Sequence, residues 1–207
     1  MLEDRPAMQA LTCVDGSDYV LTEDMLPIRW AAKHFNGHGL LNHIRWNPQF
    51  IRVPTTAQHL APRHKTAGYI QVMPHDTDGS ARTSEQMWAG VIFELHNIQY
   101  SYRQAELWHM ANTGELSRSQ WIRRAVECEY NAALETAAFY YQHWKPWAEI
   151  RGIKTTPREW FTKLPADFDT YYKYLLLADG DYPLKFYGPY YDLMQLNQAV
   201  QPNARKK

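Results

Sequence analysis

Two capping boxes, Thr83-Ser-Glu-Gln86 and Ser117-Arg-Ser-Gln120, constrain this chain more than any other feature. In such a box the hydroxyl accepts from the amide three residues on. The Gln side chain reaches back to the cap residue's own amide, so two orphan donors at a helix start are satisfied together. A long apolar-periodic stretch follows each box. The first runs to about Asn112, where Thr113-Gly114 supplies a left-handed stop. The second ends near Lys145-Pro146, because proline cannot continue the hydrogen-bond ladder. The spacing predicts two long antiparallel helices folded at 114–117, a hairpin over 83–147.

Around the hairpin the signals are weaker. Residues 1–20 show no periodicity. Thr22-Glu-Asp-Met25 starts a helix that stops at Asn36-Gly37. Residues 38–68 are rich in His, Pro and Asn, and Gln49–Val53 and Gly68–Met73 read as short strands, each closed by a proline. Asp76–Gly79 is turn chemistry. Thr156-Pro157-Arg158-Glu159 is a third box with Pro at the first helical position. Pro165-Ala-Asp opens a helix from Phe168 to Ala178, stopped by Asp179-Gly180. Tyr182–Tyr191 reads as an aromatic, turn-rich segment packed back on the body, and Gln198–Lys207 as a frayed end. The expected class is α+β, predominantly helical: a long antiparallel helical hairpin, a small β-sheet and short C-terminal helices. One domain is expected over 1–207. It comprises an irregular N-terminal part (1–80), the hairpin (83–147) and the C-terminal helices with the aromatic segment (155–197).

Lys+Arg and Asp+Glu are both 22, so the formal charge is zero, which argues against a nucleic-acid partner. The one basic cluster is Arg205-Lys206-Lys207. No apolar run approaches the ~18 residues that span a bilayer, so no membrane is expected as partner. The acidic N-terminus lacks the apolar core of a signal peptide. Cys13 and Cys128 make no disulfide framework, and Cys128 lies beside an apolar helix face as a small buried thiol would. A reducing cytoplasm is the expected location, with secretion after removal of a signal peptide left open.

Helical wheels at about 100° per residue place one glutamate on the inward stripe of each arm. Glu94 shares its stripe with Met87, Gly90, Val91, Asn97, Ile98, Ser101, Ala105 and Trp108, and His96 falls on the opposite side. Glu129 shares its stripe with Ile122, Ala125, Val126, Ala132, Ala133, Thr136, Tyr140 and Trp147. Folding the hairpin sets Glu129 level with Ser101 and predicts a polar strip of Glu94, Asn97, Ser101 and Glu129 inside an apolar hairpin. A buried carboxylate is costly unless it is paired, protonated or bound to a cation. Three readings follow. The carboxylates fix helix register through hydrogen bonds. Alternatively, Glu94, Asn97 and Glu129 hold a hard divalent metal, the one cofactor their oxygens suit. In the third reading Glu94 is a catalytic base acting on a small substrate.

Strands followed by a helix bearing Phe93-Glu94-Leu95-His96-Asn97, then a helix bearing Glu129, resemble the minimal core of the zincin metallopeptidases. That family's first helix carries His-Glu-x-x-His: the histidines bind zinc, the glutamate activates water, and a later helix supplies a third ligand. The resemblance implies Glu94 as the general base and Glu129 as the third ligand. Phe93 and Asn97 stand where the two histidines belong. Phe cannot bind a metal and Asn binds zinc poorly, so a degenerate, non-catalytic module is what the resemblance implies.

Other groupings carry less. Asn36-Gly37 breaks the helix between His34 and His38, which have metal-pair spacing with His43 nearby. Glu106-Leu-Trp-His109 has di-iron spacing in a single copy on a polar face. Ser80 and Ser84 have no base partner, and phosphate-binding and nucleophile-elbow motifs are absent from the sequence. The expected function is a non-catalytic structural or protein-interaction domain, its partner unidentified. The alternative is a metal-dependent hydrolase or acid–base enzyme centred on Glu94 and Glu129.

Overall fold

The computed structural model describes residues 44–46, 57–60, 69–72, 76, 78–178 and 181–200. Six α-helices run through it: α1 (Ser84–Gln99), α2 (Ser101–Asn112), α3 (Arg118–Phe139), α4 (Lys145–Ile150), α5 (Phe168–Ala178) and α6 (Tyr182–Val200). A π-helical turn, Tyr140–Trp144, joins α3 to α4, and a 3-10 turn spans Pro157–Trp160. Helix dominates the described residues, and no strand is described from residue 76 onward. Upstream, only the backbones of Ile44–Trp46, Ala57–Leu60 and Tyr69–Val72 are described. They pair over three or four residues, with Tyr69–Val72 in the middle. The expected α+β class is corrected to helical: from residue 76 onward the described chain is built of helices and holds no strand. The strand expected at 49–53 and the helix expected at 22–36 lie outside the described residues, as do His34, His38, His43, His64, His75, Cys13, Asp179-Gly180 and 201–207.

Local signals set the helix ends. Gln86 N donates to Thr83 Oγ1 at 3.2 Å and Thr83 N to Gln86 Oε1 at 2.8 Å. Ser117 and Gln120 repeat the exchange at 3.4 and 2.9 Å. Gly114, at φ 78°, closes α2 in the left-handed conformation. Asp167 caps α5 by accepting from Thr170 N at 2.8 Å, and this amide bond holds its carboxyl below the usual range. The third box does not form. Thr156 makes no side-chain cap, and the turn after it is 3-10.

Three expectations are corrected by packing. The first arm is two helices, broken at Tyr100 (φ −84°, ψ 3°). The second arm does not stop at Pro146. Proline lacks an N–H and its ring crowds the carbonyl four residues back; the π turn widens the ladder ahead of it, with Lys145 N donating to Tyr140 O, and the helix continues to Ile150. Tyr182–Tyr191, expected as turns, belongs to the long helix α6, with Pro183 in its first turn and Pro189 on the exposed side. Aromatic packing overrides the local turn chemistry there.

Contacts divide the chain into two compact units. The first holds the described residues through Gln99 with Ala132–Thr162, and the second holds Tyr100–Asn131 with the described residues from Lys163 on. In the first unit, α1 is buried along most of its surface: Met87, Trp88, Ala89, Val91, Ile92, Glu94, Leu95, His96, Asn97 and Ile98 all sit below 6% exposure, while Gln86, Gly90 and Phe93 mark a half-buried side. At its first turn the Glu85 carboxylate gathers distant chain. Oε1 accepts from Trp144 Nε1 (3.1 Å), Trp160 Nε1 (2.8 Å) and Thr156 N (3.0 Å), while Oε2 lies 2.9 Å from Thr156 N. Trp160 is fully buried against Trp144, Phe139 and Tyr140 at centroid distances of 4.9, 5.7 and 6.0 Å.

In the second unit, Leu107, Ala111, Leu116, Trp121, Ile122, Cys128 and Met194 form the core. Trp121 meets Trp108, Tyr187 and Tyr191 at about 6 Å. Gln195 Nε2 donates to Ala111 O and Tyr191 Oη to Leu116 O, both at 2.9 Å, so α6 satisfies carbonyls at the end of α2 and in the turn after it. Tyr130 Oη donates to Pro165 O at 2.8 Å, and Arg123 pairs with Asp169 while lying over the Phe168 and Tyr172 rings.

Two outcomes are expected. Glu85→Ala strands two indole N–H groups and an amide, and should lower stability by roughly 3 kcal/mol with a red shift in tryptophan emission; Glu85→Gln keeps one acceptor oxygen and should cost less. Burial pushes the Cys128 thiol up to about 11. In a Cys13→Ser background, Ellman's reagent should therefore leave Cys128 unreacted until denaturant is added.

Candidate functional site

Glu94 and Asn97 lie one turn apart on α1, 5% and 2% exposed, and Asn97 Nδ2 donates to Glu94 Oε2 at 3.3 Å. The expected inward position of Glu94 therefore holds, and so does its company with Asn97. Glu129 is partly buried and belongs to the second unit, as does Ser101 at the start of α2. Of the expected strip, the structure brings together Glu94 and Asn97 within the first unit.

The α3 stripe is as expected: Ile122, Ala125, Val126, Ala132, Ala133, Thr136 and Tyr140 are buried, and Arg123, Arg124 and Glu127 are exposed. The stripes of the first arm are not. Beyond Tyr100 the phase shifts, so that Leu107 and Ala111 turn inward while Ala105 and Trp108 are exposed. Glu106 and His109 are both exposed, in keeping with a surface pair. The partly exposed side of α1 carries Gln86, Gly90 and Phe93, and His96, expected to face out, is 5% exposed. Its Nδ1 lies 3.0 Å from both Glu135 Oε2 on α3 and Gln99 Oε1. Two oxygen acceptors at one nitrogen assign the proton to Nδ1.

Phe93, at the position of the first zinc ligand in the zincin resemblance, packs its ring on Phe161 at 4.8 Å. Phe161 is held at φ 60°, a conformation a bulky side chain rarely takes. Phe93 thus does apolar work, steadying a strained residue beside Trp160.

The donor set can be compared with a metal's needs. The Asn97 Oδ1 atom is buried with no hydrogen-bond donor among the described residues, and an amide oxygen beside a carboxylate is what a hard cation takes. Against this, no three His, Cys, Asp or Glu side chains among the described residues form a metal-binding group. Sequence reasoning missed Glu85 and the His96–Glu135 pair. The Glu85 partners are 59, 71 and 75 residues away, so no local pattern points to them.

Among the described residues no helix is long and apolar enough to cross a membrane. Comparison of the chain with models of known families, with curated proteins and with solved structures finds no match.

Proposed function

We propose that this chain is a non-catalytic structural or protein-interaction domain, with any zincin-like ancestry surviving as architecture only. The observation that carries this is the setting of Glu94. Its side chain is 5% exposed and takes a hydrogen bond from the buried amide of Asn97, one turn on along the same helix. A general base has to reach the proton it removes, either directly or through one water. A carboxylate that joins buried groups instead fixes which way a helix is turned. Phe93 supports the same reading, because its ring is used in packing rather than replaced by a ligand. No nucleic-acid partner belongs to this reading, given the zero net charge.

A second reading, a divalent metal at Glu94 and Asn97 serving a hydrolase or acid–base enzyme with Glu129, is favoured by one observation: the buried Asn97 Oδ1 without a donor among the described residues.

Melting curves and elemental analysis separate the two. On the structural reading Glu94→Leu lowers stability by about 1–3 kcal/mol, since it leaves the Asn97 amide unpaired, and Glu94→Gln lowers it less because its oxygen still accepts. Purified protein then carries no stoichiometric metal. A rise in melting temperature on Glu94→Leu, or a metal lost on Glu94→Gln, would overturn the structural reading.

A further inference from the structure

We infer that the turn ending α4 is a docking tip for an anionic lipid surface. Two isoleucines stand out from the first unit there: Ile150 is 83% exposed and Ile153 44%. They flank Gly152, at φ 64°, where the chain reverses. The turn is pinned by Ile153 N donating to Ala148 O at 2.9 Å and Gly152 N to Glu149 O at 3.1 Å, a C-cap arrangement that sets the backbone from which both side chains project. Below the tip Arg151 lies over the Trp147 ring at 4.7 Å, and Trp147 packs on Trp144 at 5.0 Å.

The charge around the isoleucines selects the partner. Lys145, Arg151 and Lys154 are all exposed, while the one acid between them, Glu149, lies 3.8 Å from Lys145. A chain with no net charge overall thus places local positive charge beside these two exposed isoleucines. Cations near an anionic leaflet are attracted within a Debye length, and protruding aliphatic side chains enter the headgroup boundary. A convex tip of this kind suits a deformable surface, and surface docking needs no membrane-spanning helix. The expectation of no membrane partner rested on spanning length alone.

This names a partner class for the interaction reading and rests on it, yet it fails separately, because vesicle binding does not depend on the Glu94 melts. The test is co-sedimentation of the full chain at low salt. Vesicles of phosphatidylcholine with about one-third phosphatidylserine should pellet the protein, pure phosphatidylcholine should not, and added salt should release it. Ile150→Asp should cut the bound fraction roughly tenfold with an unchanged melting curve, since the position is exposed, and Lys154→Glu should weaken binding as well. The inference is overturned if anionic vesicles leave the protein in the supernatant, if neutral vesicles bind it equally, or if Ile150→Asp binds like the parent chain.

Discussion

The burial of three polar side chains, Glu94, His96 and Asn97, deep along α1 is the constraint on which the rest of the first unit depends. Polar groups removed from water are costly unless they are hydrogen-bonded within the protein. Asn97 turns to Glu94, and His96 turns to Glu135 and Gln99. An imidazole and a carboxylate two residues apart on α1 are thus both buried, each against a partner on the protein. Past the break at Tyr100, α2 begins a new phase, with Glu106 and His109 in solvent.

The two acids of α1 show how position decides role. Glu85 stands in the first turn, where the helix dipole favours a negative charge, and it is only partly buried. Its carboxylate is spent on two indoles and a backbone amide from residues 144–160, so it ties the end of the tryptophan cluster to the start of the helix. Glu94 lies deep along the same helix and has its amide donor close by in sequence. The first joins distant chain, while the second takes a bond from a neighbour one turn away on its own helix.

What could be read from the sequence was what is encoded locally. The two Ser/Thr…Gln boxes, the Gly114 stop and the Phe168–Ala178 helix are decided by residues within four positions of one another, and they stand as read. The inward stripe of α3 was also legible, because that helix has polar residues to mark its outer side. Periodicity failed on α1, where His96, expected to face out, is buried. It failed again where tertiary packing overrode local chemistry, in the helix that continues past Pro146 and in the helical Tyr182–Tyr191. The α+β class expected from sequence rests on short apolar runs ended by prolines, whereas the described chain from residue 76 onward is helical. Of the candidate site, the depth of Glu94 and its pairing with Asn97 were legible, being an i, i+3 relation. The long-range partners of Glu85 and His96 were not.

The π turn links these two scales. Pro146 is a local obstacle, and a helix can stop at it or widen before it. Stopping at Trp144 would have left Trp147 and Ala148 without a helix to hold them, beside a cluster in which Trp144, Trp160 and Phe139 are already buried. Widening keeps the hydrogen bonds, with Lys145 N reaching Tyr140 O, and keeps Tyr140 and Trp144 on the buried side. Burial of large aromatic rings outweighs the irregular ladder, since each ring removes more than a hundred square ångströms of apolar surface from water. The consequence reaches solvent: only because the helix survives the proline does α4 carry Ile150 and Arg151 out to the turn at Gly152.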